Sequence, residues 1–503
     1  MTKNNKNREA PPVKALLDKI TEPLTKAYVA GNLDDKTRKE LIKFLSDTRD
    51  PRTSPALAKA LNDYDPGKND EDVKAAAQSV KGMALDNKKV DQTVIDALWN
   101  VFGKWHASSQ NAAFLARDLQ DAIMALKDPS YAQKALDKIS VPINPKNAAD
   151  ASDQAVWQLI STQLIGHLKF TAAVKQLAVV MLTPEKQQLQ GAAVAALARM
   201  PKEAEPVLVS AVNGSDPTLK ALADKIPEKA AVALVCDALA TISRPQGRDA
   251  CLAALAAADN VNNRTAIART LYKYPADPKI VAAFRAAYDK TPNDAVSSLL
   301  GGGNARGLLA RVASNYYDNS LTDWLLKEIA TAKGDKDTAD ALQMPALESA
   351  IKLYGPSQKG GVADAVNKEG TEREKSMNKL ASAVVDKCKE DASCFVKVLD
   401  EPIQSNTGTA NMTAVKAAWM AAVYGKDNAG VRNELAKRIT KVSDPPTRLA
   451  IAQALMYMSP KGDDATATLL EKVVKDDEES GNKNMANADL GNVALTLRAR
   501  SAQ

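Results

Sequence analysis

One helical pattern occurs twice in this chain and is followed each time by the same kind of second segment. Arg264–Leu271 and Arg448–Leu455 share the pattern R-x-A-I-A-x-x-L. After each copy come proline or glycine residues, which break helices, and then a second stretch with helical spacing of its apolar residues, at 280–288 and 465–474. The sequence therefore predicts a helix, a turn and a second helix, repeated in the same frame.

Weaker copies of the first helix extend this pattern over much of the chain. Segments 38–45 and 416–423 also begin with a basic residue and end with an apolar one. Ala-Leu pairs that suit the ends of other first helices close at four further positions: Leu85, Leu126, Leu197 and Leu239. From Leu45 to Leu271 the steps between endings are 40, 41, 71, 42 and 32 residues, and the longest leaves room for a degenerate copy near Leu159. Two helices per period of roughly 32 to 42 residues indicate an α-solenoid.

The turns between the helices favour the same interpretation. Alanine dominates the apolar residues and aromatic residues make up only 4%, which suits many closely packed helices. Asp-Pro pairs occur at five positions that suit turns: Asp50-Pro51, Asp128-Pro129, Asp216-Pro217, Asp277-Pro278 and Asp444-Pro445. Together with the Ala-x-x-Ala-Leu endings, these turns resemble HEAT repeats, best over 180–290 and 410–475. The resemblance implies an all-α fold, an α-solenoid or superhelix of stacked antiparallel helical hairpins that is irregular in the middle.

Breaks in the pattern predict how the chain is divided. Residues 1–12 are polar and end in two prolines, which predicts a flexible N-terminal tail. Residues 13–300 are predicted to form an N-terminal helical-repeat solenoid. The glycines of Gly301–Asn304 interrupt the helical pattern, so residues 301–503 are predicted to form a C-terminal helical-repeat region. Its glycine-rich segment near 355–371 predicts long loops.

The four cysteines fall into two local pairs, Cys236 with Cys251 and Cys388 with Cys394. Each pair flanks a predicted turn between two helical stretches, and such a hairpin brings Cα atoms within the ~4.4 to 6.8 Å that a disulfide requires. The sequence therefore predicts two disulfides and an oxidising location, periplasmic, extracellular or in the cell envelope. The alternative is that all four are reduced core residues of a cytoplasmic protein.

Residue types that usually carry catalysis or bind metals are scarce. The only histidines, His106 and His167, are interpreted as surface or half-buried packing residues, and no H-E-x-x-H, G-x-S-x-G or C-x-x-C motif occurs. The five tryptophans occupy apolar helical positions and are predicted to lie in the core: Trp99, Trp105, Trp157, Trp324 and Trp419. We therefore expect no catalytic residues, no metal and no cofactor.

The remaining function classes are distinguished by charge and hydropathy. No apolar run reaches the ~18 to 20 residues of a membrane-spanning helix, and the start of the chain has no hydrophobic signal region. The net charge of +6, from 67 basic and 61 acidic residues, is nearly balanced, which makes nucleic acid an unlikely partner.

A solenoid exposes an extended surface, which predicts a non-enzymatic protein–protein interaction scaffold. Such a chain would be a subunit or adaptor of a larger assembly, and the cysteines favour a bacterial cell envelope. A HEAT-like nucleic-acid-binding or DNA-repair protein in the cytoplasm is the alternative. An enzyme of the HEAT-like lyase type has no supporting set of residues.

Overall fold

The structure is a computed structural model in which the chain divides into two compact units, residues 1–196 and 197–503. It describes five stretches of the chain: 10–298, 302–332, 335–401, 411–481 and 486–502. Both units are built from α-helices, numbered below in chain order, so the predicted all-α fold is confirmed. In the described stretches the strands are limited to β1 Val296–Ser297 and β2 Gly303–Asn304.

Nine helices and the larger part of a tenth belong to the N-terminal unit. They are α1 Pro11–Ala30, α2 Asp35–Thr48, α3 Ser54–Asn62, α4 Asp70–Leu85, α5 Gln92–Asn100, α6 Ala112–Leu126, α7 Tyr131–Ser140, α8 Ala148–Leu168, α9 Val174–Leu182 and α10 Gln190–Ala198.

The C-terminal unit contains the remaining helices of the described stretches. They are α11 Pro201–Val212, α12 Pro217–Ala223, α13 Ala230–Ile242, α14 Pro245–Ala257, α15 Val261–Ala268, α16 Pro278–Asp289, α17 Ala305–Val312, α18 Ser320–Thr331, α19 Lys336–Leu353, α20 Lys359–Glu369, α21 Glu372–Cys388, α22 Ala392–Val398, α23 Met412–Tyr424, α24 Ala429–Arg438, α25 Pro445–Tyr457, α26 Asp464–Glu479 and α27 Ala486–Ser501.

Helices of the N-terminal unit stack in layers. α2, α4, α6 and α8 lie side by side, each against the next, while α1, α3 and α5 form a second layer. Side-chain hydrogen bonds join neighbouring helices of the first layer at separations of 40 or 43 residues: Lys81 to Asp121, Gln78 to Asp118 and Gln120 to Gln163. These separations agree with the predicted repeat period, since each repeat places equivalent residues beside one another.

Seven helices of the C-terminal unit form a closed ring. α13 packs on α15, α15 on α17, α17 on α19, α19 on α23, α23 on α25 and α25 on α27, and α27 returns to pack on α13. Each of these seven helices therefore packs between two others of the ring, and none of them lies at an open end of the stack.

The arginine that opens the repeated pattern is a buried structural residue in both copies. Arg264 donates to the carbonyl oxygens of Lys290 (2.8 Å) and Ala258 (3.0 Å), which end α16 and α14. Arg448 donates to the carbonyl of Val442 (2.8 Å) and pairs with Asp477 (2.6 Å). The last carbonyls of a helix have no partner within it and carry partial negative charge, so a cation satisfies them well.

Lys416, which opens a weaker copy, acts in the same way. Its ammonium is fully buried and donates to the carbonyls of Ile351 (3.0 Å), Lys352 (3.1 Å) and Tyr354 (2.6 Å) at the end of α19. The basic residues Arg264 and Lys416 are thus explained by helix ends that need donors.

Lys186 of the N-terminal unit gives a pH-dependent test of this arrangement. Its ammonium donates to the carbonyls of Ile139 (2.6 Å) and Val141 (2.8 Å) at the end of α7, and burial lowers its pKa from 10.5 to about 8. Between those pH values the unfolded chain binds a proton that the folded chain has released. The free energy of unfolding therefore decreases, through this lysine, as the pH falls from 10.5 towards 8.

We expect Lys186→Met to remove this contribution to the pH dependence of unfolding. The difference in unfolding free energy between the variant and the parent should change with pH by up to about 1.4 kcal/mol per unit across that window. Urea titrations at several pH values measure it. Lys146→Met, at an exposed position of the same unit, is the control that should track the parent. If the unfolding free energies of Lys186→Met and the parent differed by the same amount at every pH, this pH dependence could not be assigned to Lys186.

Three predicted features of organisation differ from the structure. Residues 355–371 were predicted to be loops but contain a 3-10 turn, Pro356–Gln358, and helix α20. Gly361 lies within α20 and packs closely against Leu326. A Cβ at this position would be only 3.1 Å from Leu326 Cδ1. The glycine therefore permits close packing of a helix and does not mark a loop. In the predicted N-terminal tail, α1 begins at Pro11, and residues 1–9 lie outside the described residues.

The predicted division near residue 300 falls inside the C-terminal unit. β1 and β2 pair antiparallel around this point, and α15 before it packs on α17 after it. Gly303 therefore belongs to a short antiparallel strand pair and Gly302 directly precedes it, whereas Gly301 lies outside the described residues.

Candidate binding sites

The four cysteines lie in the two predicted pairs, each at disulfide distance. Cys236 of α13 and Cys251 of α14 have Cα atoms 5.6 Å apart, and Cys388 and Cys394, across the turn from α21 to α22, have Cα atoms 5.3 Å apart. The first pair is fully buried, whereas Cys394 is half-buried.

This difference in exposure predicts an order of reduction. Thiol–disulfide exchange requires access of the attacking thiolate to a sulfur, so the Cys388–Cys394 pair should be reduced first by dithiothreitol under native conditions. Cys236 and Cys251 should become reactive only near unfolding. Time-resolved alkylation followed by peptide mass spectrometry measures both rates. Equal rates for the two pairs would contradict the burial of Cys236 and Cys251.

The histidines and tryptophans occupy the kinds of position predicted for them. His106 is exposed and its Nδ1 lies 2.8 Å from Asp153, and His167 is also exposed. Four of the tryptophans are buried and Trp99 is half-buried. Among the described residues, no group of three or more His, Cys, Asp or Glu side chains is placed to hold a metal ion. No helix in the described stretches is long and apolar enough to cross a membrane.

A groove of about 690 Å³ lies between α2 and α4 of the N-terminal unit and is called the serine groove here. Its residues are Lys39, Glu40, Lys43, Ser46, Asp47, Arg49, Glu71, Asp72, Lys74, Ala75, Gln78 and Ser79. Small side chains at the seam, from Ser46, Ala75 and Ser79, leave space between the two helices. At the far end Gly82 lets the Arg49 guanidinium cross α4, because a Cβ at Gly82 would collide with it.

The floor of the serine groove carries three buried polar atoms without a hydrogen-bond partner among the described residues. They are the hydroxyls of Ser46 and Ser79 and Oδ1 of Asp72, whose residues are 6%, 2% and 1% exposed. The other carboxylate oxygen of Asp72 accepts from Arg38 Nη1. Buried polar atoms are nearly always paired, so three unpaired ones beneath one groove mark a seam between α2 and α4 that the two helices do not fill tightly.

The rim of the serine groove is charged with both signs. Four cations are accompanied by three carboxylates besides Asp72: Lys39, Lys43, Arg49 and Lys74 with Glu40, Asp47 and Glu71. Several of these charges are paired at the surface, as in Lys74 with Glu71 at 3.6 Å. A nucleic acid would bring its phosphates against the carboxylates, so this rim favours a ligand without a large net charge.

An exposed aromatic side chain extends the surface beside the groove. Phe114 of α6 is 69% exposed and lies one helical turn before Asp118, which accepts from Gln78 of the groove at 3.2 Å. Leu85, at the end of α4, is 65% exposed. Phe114 is joined to the groove through Asp118 and Gln78, so its exposed ring can add an apolar contact for a ligand that lies there.

A second cavity, of about 470 Å³, lies in the C-terminal unit and is called the tyrosine pocket here. Five of the eleven tyrosines of the chain line it: Tyr272, Tyr274, Tyr316, Tyr317 and Tyr457. They follow the ends of ring helices α15, α17 and α25. Tyr317 stacks between Trp419 (5.1 Å between ring centroids) and Tyr457 (4.7 Å).

Sequence reasoning found neither cavity. The small residues of the serine groove are ordinary helix residues until two helices are placed side by side. The tyrosines offered a signal, since in a chain with few aromatic residues they recur just after Ala-rich first helices. No protein-family model matches this sequence, and no curated protein matches it. The HEAT resemblance therefore stays a prediction.

Proposed function

We propose that this chain is a non-enzymatic protein–protein interaction scaffold whose serine groove holds an extended segment of a partner protein. The observation that carries the proposal is an open groove of about 690 Å³ between α2 and α4, whose rim carries charges of both signs. An extended polypeptide presents alternating N–H and C=O groups, so it can exchange hydrogen bonds with exposed polar side chains that line the groove, such as Lys39, Glu40 and Gln78.

The rest of the surface suits the same ligand. The rim, with charges of both signs, can pair with mixed charged side chains of a peptide, and such pairs set register more than affinity. Phe114 offers an aromatic anchor beside the groove, and aromatic residues carry much of the binding energy at protein interfaces. The proposed role is therefore that of a subunit or adaptor that captures a segment of another protein.

The groove can be filled to test this role. Ala75 is half-buried in the groove wall, and Ala75→Trp should occupy the space that the partner segment needs without disturbing the core. Ala149→Trp places the same side chain at an exposed position of α8. Affinity capture from an extract of the native host, quantified by mass spectrometry, compares both variants with the parent chain.

The expected result is one or more proteins captured by the parent and by Ala149→Trp but lost with Ala75→Trp. A synthetic peptide from the captured protein should then compete. Identical capture by all three proteins would contradict binding in the serine groove. Circular dichroism of both variants checks that neither is unfolded.

We further propose that the scaffold works in an oxidising location such as a bacterial cell envelope. Two cysteine pairs at disulfide distance support this, because disulfides persist mainly outside the cytoplasm. Protein taken from the native host should gain alkyl groups at its four cysteines only after reduction, as measured by intact mass. Full alkylation without reduction would place the protein in a reducing compartment.

A further inference from the structure

The tyrosine pocket lies in the other unit from the serine groove, and its construction points to a separate ligand. Its size, about 470 Å³, is in the range of small-molecule sites. Three rings form one stack, Trp419, Tyr317 and Tyr457, and the stack ends at the half-buried Tyr457. The Lys426 ammonium lies over the Tyr457 ring, 5.5 Å from its centroid, and is exposed.

Tyr317 is held in a conformation that local sequence does not favour. Its φ is 52°, in the left-handed region that bulky side chains rarely adopt, and it follows the 3-10 turn Ala313–Tyr316. The residue is 2% exposed, and its hydroxyl is buried without a hydrogen-bond partner in the described part of the chain. Backbone strain and an unpaired buried hydroxyl at one residue of a cavity wall are typical of a binding site.

The polar residues of the pocket narrow the class of ligand. Two carboxylates and two cations line it, Asp277 and Asp318 with Arg285 and Lys426, so its charge is balanced. Two amide side chains, Asn315 and Asn319, add both donors and acceptors. Burial, together with the nearby carboxylates of Asp318 and Asp427, raises the pKa of Tyr457 to about 12, so the ring that faces the pocket stays uncharged well above neutral pH.

We propose that the tyrosine pocket binds a neutral saccharide, with one sugar ring on the outer face of Tyr457. A sugar ring has an apolar C–H face that packs on an aromatic ring, and hydroxyls that both donate and accept hydrogen bonds. The carboxylate, amide and tyrosine side chains that line the pocket match both properties. A proline-rich peptide would also pack on tyrosines but offers few donors, so Asp318 and the amides would gain no partners from it.

Lys426 distinguishes a neutral saccharide from an anionic ligand. Since a sugar ring would take the place of the lysine over Tyr457, removing that lysine should leave saccharide affinity unchanged or stronger. An anionic ligand would instead need the Lys426 charge, so its affinity should fall in Lys426→Ala.

Isothermal titration calorimetry of the full chain with maltotriose, cellotriose and triacetylchitotriose tests the proposal. We expect saturable binding of at least one trisaccharide, weakened about tenfold or more by Tyr457→Ala and less than about twofold by Tyr457→Phe, which keeps the ring. Lys426→Ala should bind as well as the parent or better. Phe114→Ala, in the other unit, is the control that should change nothing.

Three outcomes would overturn the proposal. The first is that none of the three sugars binds at concentrations up to about 10 mM. The second is binding that Lys426→Ala abolishes, and the third is binding of a decaproline peptide in place of the sugars. Because Phe114 and Ala75 belong to the other unit, loss of partner capture by the serine groove would leave this result unaffected.

Discussion

Arg500→Met is expected to lower the unfolding free energy of the C-terminal unit by about 4 kcal/mol, because four charge-assisted hydrogen bonds to buried acceptors would be lost at once. Arg500 is 2% exposed near the end of α27. It donates to the carbonyls of Met456 (2.7 Å) and Ser459 (3.1 Å), to the Ser243 hydroxyl (3.0 Å) and to the carbonyl of Lys273.

These partners explain why the effect should be large. Met456 and Ser459 lie at the end of α25, Lys273 lies just after α15, and Ser243 follows α13, so one guanidinium joins four ring helices where the ring closes. Burial lowers the pKa of Arg500 to about 10, so the side chain is still charged at neutral pH and its hydrogen bonds are charge-assisted.

The neighbouring Arg498 provides a matched control. It pairs with Glu471 at 2.7 Å, but its side chain is 35% exposed, and exposed ion pairs contribute at most about 1 kcal/mol. Urea titration followed by circular dichroism should therefore show a large loss for Arg500→Met and a small one for Arg498→Met. Similar losses for both variants would contradict the role of Arg500 in closing the ring.

Trp419→Ala is expected to cost about 3 to 5 kcal/mol in the same unit, the range for removing a large buried aromatic side chain. Trp419 is 3% exposed, its indole N–H donates to the Ser314 carbonyl at 2.8 Å, and its ring supports Tyr317. The change would leave a cavity beneath the aromatic stack and remove one of the two hydrogen bonds that the Ser314 carbonyl accepts, the other coming from the Tyr317 N–H at 3.2 Å.

Trp419→Phe separates the two contributions. It keeps an aromatic ring beneath Tyr317 and removes the indole N–H, so its cost should be less than half that of the alanine variant. Thermal unfolding of both proteins beside the parent measures the difference. Equal costs would show that the stack contributes little and that the hydrogen bond to Ser314 dominates.

The helical repeat could be predicted from sequence because its signals are local. The motif at Arg264 and Arg448, the Asp-Pro turns and the alanine-rich helices each depend on neighbouring residues only. The cysteine pairs were accessible for the same reason, since each pair flanks one turn. The structure agrees with these predictions in the all-α fold and in the distance between the paired Cα atoms.

Structural features that depend on contacts between distant residues could not be predicted from local sequence signals. Closure of the ring rests on Arg500 meeting Ser243, 257 positions away, and no periodic pattern encodes such a contact. Residues 355–371 contain helix α20 although its glycines have a weak helix propensity. Packing against neighbouring helices stabilises the helix in spite of that propensity. The unpartnered atoms of Ser46, Asp72 and Ser79 became visible only when α2 and α4 were placed side by side.

The buried cations also change how the repeated pattern is understood. A conspicuous arginine in a repeat could be mistaken for a partner-binding residue. Arg264 and Lys416 instead satisfy carbonyls at helix ends, and Arg448 donates to the Val442 carbonyl and pairs with Asp477, so all three act within the fold.

Capture of a partner segment in the serine groove is tested most directly by photo-crosslinking from its wall. Gln78 is exposed in the groove, and p-benzoylphenylalanine at this position would react with atoms that lie within it. After irradiation in the native host, mass spectrometry should locate the crosslinks in one contiguous segment of a partner protein, and Ala75→Trp should abolish them. Crosslinks that persist in Ala75→Trp, or that match those obtained from position 149, would contradict the proposed function.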